Sequence, residues 1–447
     1  MIIRHATILT MTDRETFVGD LRVSDGRIVE IAPHVAHVGA GEEEIDATGC
    51  FLLPGFVQPH VHLCQTLFRG AADDLELLDW LAGRIWPMEA WLDESAMRAA
   101  ADLGIYELIA GGTTAILDMG TRRHTSVLFE RAAAAGLRYT GGKCLMDRDR
   151  SGRMPAALLE DVDSALGECR ELIASFHETA GGLLRASLAP RFAVSCSDEM
   201  LSGACDLAFE HGLIFHSHAS ESRAECELVR AATGRNNIDY LSELGVLGSQ
   251  TVLAHGIHLF EGELDLLFGT GTHVVHCPSS NLKLASGVCA VPEMLDYGVN
   301  VALAADGAAC NNRLSMFREM ILAALIHKPR VGPTGMDAWR VLEMATVNGA
   351  RALGLEDEIG TLEVGKCADL VVIDPRRPET LGLGDAAARI VYACDEGSVR
   401  DVFIDGRAVK RDGVVRPLGA DEVAGAASEA WERLRRDFTG LDGGTAT

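Results

Sequence analysis

The sequence predicts an α/β protein, an eight-stranded (β/α)8 TIM barrel with a small β-sandwich built from both chain ends. Three observations predict it. Between Leu52 and Asp306, eight short β-rich runs alternate with helical stretches of Ala, Leu and Glu. Polar residues gather at the C-terminal ends of those runs, and the flanks carry short strands joined by Asp-Gly turns with few helices. Alternating strands and helices indicate a parallel sheet, and eight strands over roughly 250 residues have the dimensions of a barrel. A doubly wound open sheet is the alternative. The polar strand ends favour the barrel, because barrels build their active sites there.

In chain order, residues 1–55 (with IIRHATIL and DLRVSDGRIVEIAP) supply the first half of the sandwich. The barrel occupies 56–360, its strands expected at 56–63, 113–119, 137–145, 185–192, 213–220, 251–257, 272–279 and 300–306. Residues 361–420 (CADLVVIDP, VRDVFIDGRAVKRDG) read as the second half of the sandwich. Residues 421–447 read as a C-terminal amphipathic helix over 421–438 followed by a disordered Gly/Thr tail.

Composition narrows the function. Lys and Arg total 40 against 65 Asp and Glu, a formal charge of −25, and 48% of the 447 residues are hydrophobic. That is a globular composition, and its acidity, without any basic cluster interleaved with aromatics, excludes nucleic acid as a partner. The start, MIIRHATILTMTDRE, lacks a signal-peptide pattern, and no segment approaches the roughly 20 apolar residues of a membrane span. A cytoplasmic enzyme with a small-molecule substrate and no membrane partner is expected. The twelve cysteines are scattered singly from Cys50 to Cys394 with no CxxC pair, so they read as buried small hydrophobes.

The histidines carry the chemistry. Residues two apart in a strand face the same side, so His60 and His62 point together into the barrel mouth. Strand five ends with His216, His218 and Glu221, strand six with His255 and strand eight with Asp306. Imidazoles with one carboxylate suit Zn²⁺ or Fe²⁺ and leave room for a water, whose pKa such a metal lowers towards about 7. Glu221 is placed to move a proton from that water to a leaving group. His216 shares a face with His218, so either could be the ligand. His258, His273 and His276 read as locally packed, and Met97, Met119 and the scattered Trp residues as core.

The segments PGFVQPHVHLCQTLFRG, GGTTAILDMG, HSHASES, LAHGIHL, HCPSSNLKLASG, NVALAADGAACNN and EIGTLEVGKCADLVVID resemble the amidohydrolase superfamily, in its cytosine/adenosine/guanine deaminase branch. The resemblance runs from about residue 1 to 415. It implies metal ligation by His60, His62, His218 and Asp306, a proton shuttle at Glu221 and an orienting role for His255. Asp306 would also take the water's first proton. Strand four (RASLAPRF) offers no Lys to bridge two ions, so the resemblance implies one divalent metal, Zn²⁺ before Fe²⁺, and a homo-oligomer. It also favours deamination over triazine-type dehalogenation, because an amine needs protonation to leave and Glu221 is present.

For the substrate the motifs divide. LELLDWLAGRIWPMEAWLDES resembles the segment of S-adenosylhomocysteine/methylthioadenosine deaminases that bears a ribose-binding Glu, which implies that role for Glu89 with Trp86 as a stacking wall. AADGAACNNRLSMFREM points the same way, to a nucleoside such as 5′-deoxyadenosine or methylthioadenosine. Gln65, and Arg191 in the Pro190-Arg191-Phe192 run, resemble instead the purine-edge and ring-carbonyl contacts of guanine deaminases. The expected reaction is hydrolytic removal of a heteroaromatic ring amine. An adenosine-type nucleoside leads; the alternatives are guanine or another oxopurine, a pterin, or a triazine.

Overall fold

The structure is a computed structural model that describes residues 1–37 and 41–438. Seven of the expected runs form parallel strands: Phe56–His62, Thr113–Thr121, Arg138–Leu145, Leu184–Pro190, Ile214–Ala219, Thr251–His255 and His273–His276. The eighth is split. Val301–Leu303 pairs with the seventh strand, whereas Asp306–Gly307 pairs with the first, Asp306 opposite Val61 and Gly307 opposite His62. The split closes the barrel, and the buried Gln58 bridges its seam: the amide side chain accepts from the Ala305 N–H at 3.0 Å and donates to Thr113 Oγ1 at 2.8 Å.

Barrel closure follows from residue type. Small and branched aliphatic side chains, among them Val57, Leu117, Val252, Val275 and Ala302, fill the lumen, while a larger apolar layer packs between strands and helices. The helices that return the chain end on glycines in the left-handed conformation, as at Gly212 (φ 65°) and Gly234 (φ 73°), where a side chain would be strained. Ser222 opens the helix Arg223–Thr233 with a capping box completed by Glu225, which fixes the turn that carries Glu221.

The chain ends meet in a second sheet. Phe51–Pro54 pairs in parallel with Ile2–Leu9 on one side and antiparallel with Leu370–Ile373 on the other, joining the two flanks into one mixed nine-stranded sheet. The C-terminal helix runs Ala420–Asp437, and Trp431 Nε1 donates to the Leu67 carbonyl at 2.7 Å. The Gly/Thr tail beyond 438 lies outside the described residues. All twelve cysteines are free and all but Cys205 are buried. Among the described residues no helix is long and apolar enough to cross a membrane.

Candidate active site

Three barrel strands bring four donors to one point. His62 Nε2 and His218 Nε2 stand 3.1 Å apart, and His60 Nε2 and His62 Nε2 each lie 3.4 Å from Asp306 Oδ1. Donor atoms of His60, His62 and His218, and of His60, His255 and Asp306, fall within the spacing that one ion needs. Burial pushes the protonation of His60, His62 and His218 below the usual imidazole range, which leaves ring lone pairs free. Burial alone would raise Asp306, but His60, His62 and His255 outweigh it and hold the carboxylate well below its ordinary value. His60 Nε2 is buried without a hydrogen-bond partner. An orphaned nitrogen facing a carboxylate and two further imidazoles is the donor set of a divalent metal centre, so these residues fit one.

The donors are held from behind. His60 Nδ1 pairs with His216 Nε2 at 2.8 Å, so His216 faces the rear of a donor and stands outside both donor groups. Of the two histidines that the strand pattern left open, His218 therefore reaches the cluster and His216 supports it. His218 Nδ1 donates to the Arg191 carbonyl at 2.6 Å, which turns its Nε2 inward. Asp118, at the end of strand two, accepts from the Leu63 N–H at 2.9 Å and from the Tyr139 hydroxyl at 3.0 Å. It anchors the residue after His62, and burial pushes its pKa up to about 6. Asp118 and Asn281 escaped the sequence reading, although both lie in motifs that reading singled out.

The groups that could move protons sit beside the donors. His255 Nε2 is 3.5 Å from Glu221 Oε2 and 3.9 Å from Asp306 Oδ2. Burial, reinforced by the nearby Asp306 and Glu225 carboxylates, raises the Glu221 pKa well above the usual carboxylate range. Three non-glycine residues beside the cluster adopt the left-handed region: Ser220 (φ 54°), His255 (φ 77°) and Asp306 (φ 63°).

A pocket of about 330 Å³, part of it open to solvent, lies over the cluster. His62, His218, Glu221, His255 and Asp306 line its floor, and Gln65, Leu77, Trp80, Leu81, Arg191, Phe192 and Leu284 its sides. Gln65 Nε2 donates to Glu89 Oε1 at 2.9 Å and Arg191 Nη1 to Glu89 Oε2 at 2.7 Å, so Glu89 stands behind Gln65 and Arg191 and is not a lining residue. Gly307 makes room for this row, because a Cβ there would fall 2.4 Å from Gln65 Oε1.

Trp86 needs correction as the stacking wall: it is 0% exposed, belongs to the hydrophobic core and does not line the pocket. Trp80 does. The helical segment Leu77–Trp91 presents Leu77, Trp80 and Leu81, an i, i+3, i+4 stripe, to the pocket. A π-helical turn at Leu81–Ile85 separates the two tryptophans, and Trp86 beyond it packs into the core without reaching the pocket. Of the histidines set aside, His258 bonds the Ser286 carbonyl at 2.8 Å and His273 the Ser249 carbonyl at 3.1 Å. His276 packs on His327.

Residues 51–409 match the amidohydrolase family profile. The chain belongs to the amidohydrolase family. Among curated amidohydrolase relatives, it is 39% identical over 408 residues to a 5-methylthioadenosine/S-adenosylhomocysteine deaminase of Syntrophobacter fumaroxidans, covering 91% of each chain. It is 38% identical to a 5′-deoxyadenosine deaminase of Methanothermobacter thermautotrophicus, covering 93% of this chain and 95% of that one. The crystal structure of an adenosine deaminase from Xanthomonas campestris, with bound zinc, superposes with a TM-score of 0.89 at 29% identity, covering 97% of this chain and 98% of that one.

Proposed function

We propose that this amidohydrolase is a metal-dependent hydrolytic deaminase of an adenosine-type nucleoside, such as 5′-deoxyadenosine or methylthioadenosine, that releases ammonia. The observation that carries the reading is Glu221, a buried carboxyl of raised proton affinity on the floor that holds the His/Asp cluster. An amine cannot leave from a ring without a proton, and Glu221 is the acid in reach. The names of the curated relatives support the substrate class.

His60, His62, His218 and Asp306 would hold one divalent metal, zinc first and Fe²⁺ second, and such an ion supplies Lewis acidity that lowers the pKa of a water towards about 7. Asp306 takes the first proton from the attacking water. Glu221 gives its proton to the ring nitrogen next to the amine, then takes the remaining proton of the attacking oxygen and passes it to the departing nitrogen, and the proton held by Asp306 returns to Glu221 to close the cycle. His255 holds the attacking oxygen in line with the ring carbon. Trp80, Phe192 and Leu284 clamp the flat ring, and the buried, unpartnered Gln65 Oε1 and Trp80 Nε1 offer it one acceptor and one donor.

Arg191 and Gln65 both line the pocket, which favours an oxopurine as the second reading. Against it, Arg191 already commits one arm of its guanidinium to Glu89. We divide the chain into sandwich halves at 1–55 and 361–420, a barrel at 56–360 and a terminal helix and tail at 421–447. A separate apolar core that includes Ile8, Leu21, Leu52 and Leu370 supports the sandwich. Unpaired cysteines support a reducing cytoplasm, and the family resemblance supports a homo-oligomer.

The test is ammonia release by zinc-loaded protein from 5′-deoxyadenosine, methylthioadenosine, S-adenosylhomocysteine, adenosine, guanine, 8-oxoguanine, isoxanthopterin and melamine. The adenosine analogues should have the highest kcat/KM. An oxo-heterocycle in first place would overturn the nucleoside reading and leave the deaminase reading standing.

A further inference from the structure

We propose that Asn281 is a positioning residue that fixes the ring of His255 and selects which of its nitrogens carries the hydrogen. This deepens the deaminase reading and rests on it only for the consequence in turnover. His255 leaves strand six from a left-handed backbone (φ 77°), so the strand pleat does not set its direction. Its Nε2 stands 3.5 Å from Glu221 and 3.9 Å from Asp306, beyond hydrogen-bond range for the second and at its edge for the first. Among the described residues its one short polar contact is Asn281 Oδ1, 2.9 Å from Nδ1.

Asn281 is built to be rigid. It is 1% exposed, lies on the short helix Pro278–Lys283 that follows strand seven, and is tied at both ends of its peptide. Its N–H donates to the Cys277 carbonyl at 3.0 Å, and its carbonyl accepts from the Ser286 N–H at 2.9 Å. An amide oxygen only accepts, so Nδ1 carries the hydrogen and Nε2 presents a lone pair to the pocket. His255 then meets the O–H of Glu221 or of the attacking water as an acceptor. Without Asn281 the hydrogen can move to Nε2, where it would oppose those donors.

The experiment is ¹⁵N-imidazole NMR on the zinc-loaded protein, with the His255 signals assigned by their loss in His255→Gln. Wild type should show a protonated Nδ1 and a bare Nε2. Asn281→Asp, whose carboxylate also accepts, should keep that pattern, and Asn281→Leu should give a mixture of tautomers. With an adenosine-type substrate, Asn281→Leu should lower kcat at least tenfold with KM within twofold, and Asn281→Asp should recover most of kcat. A wild-type His255 protonated at Nε2, or an unchanged tautomer in Asn281→Leu, overturns the proposal. The wild-type and Asn281→Asp spectra decide the matter even if Asn281→Leu does not fold. Because NMR needs no turnover, failure of every substrate would count against the deaminase reading and not against Asn281.

Discussion

The floor of the pocket is made of strand ends and its rim of a helix interrupted by a wider turn. His60, His62, His218 and Asp306 project from three barrel strands, and His60, His218 and the residue following His62 are each held by a second buried group. Gln65, Trp80 and Glu89 come from the connection after strand one, where a π-helical turn at Leu81–Ile85 joins Leu77–Trp80 to Trp86–Trp91. The floor is thus fixed by the hydrogen-bonded sheet, whereas the rim is fixed by side chains that grip one another, chiefly Glu89 between Gln65 and Arg191. A site assembled this way can keep its chemistry constant while the rim is rebuilt for another ring amine.

Substitutions at three places test that division. The largest effect belongs to the floor: Glu221→Gln should cost about 10²–10⁴ in kcat while the metal content is unchanged, since in the proposed mechanism the carboxyl donates a proton and ligates nothing. Retained full turnover would remove Glu221 from the mechanism. On the rim, Arg191→Ala leaves the Glu89 carboxylate, whose side chain is 7% exposed, without its cation and should destabilise the fold by about 3–5 kcal/mol. A double-mutant cycle with Glu89→Gln should return a coupling of about 1–3 kcal/mol, and zero coupling would mean that the two residues do not hold each other.

The third and smallest effect lies beneath the floor, where Glu319 accepts from the Ser279 N–H at 3.0 Å, the Ser279 hydroxyl at 2.5 Å and Asn311 Nδ2 at 2.8 Å. Burial pushes its pKa up from 4.5 to about 7. A carboxyl with a raised native pKa stabilises fully below its unfolded value and loses that contribution as the pH rises through the native one. Between pH 5 and pH 8.5 wild type should therefore lose about 2.5 kcal/mol relative to Glu319→Gln, read as the difference between urea melts. A difference that stays flat with pH would show that Glu319 titrates normally.

How far each region was legible follows from its geometry. The period of two in a strand is rigid, so HxH in the first strand and the histidines of the fifth could be assigned to the mouth before any coordinates. In LLDWLAGRIW the helix phase is broken by the π-helical turn at Leu81–Ile85, and no local pattern says which stripe meets the ligand or which tryptophan, Trp80 or Trp86, lies on it. Asp118 and Asn281 are unreadable for another reason: each acts between neighbouring strands on a residue 55 or 26 positions away in the chain, and no local pattern encodes such a contact.

By itself, then, the order of residues pointed to the barrel, to the meeting of the two flanks, and to the strand ends that carry His60, His62, Glu221 and Asp306, because alternation, turn chemistry and strand period are local properties of the chain. Only the tertiary structure placed His216 behind His60 and His218 in the cluster, put Glu89 behind Gln65 and Arg191, and gave Asn281 to His255. Those outcomes depend on where side chains from distant strands come within about 3 Å of one another, and that distance is set by how the closed barrel packs.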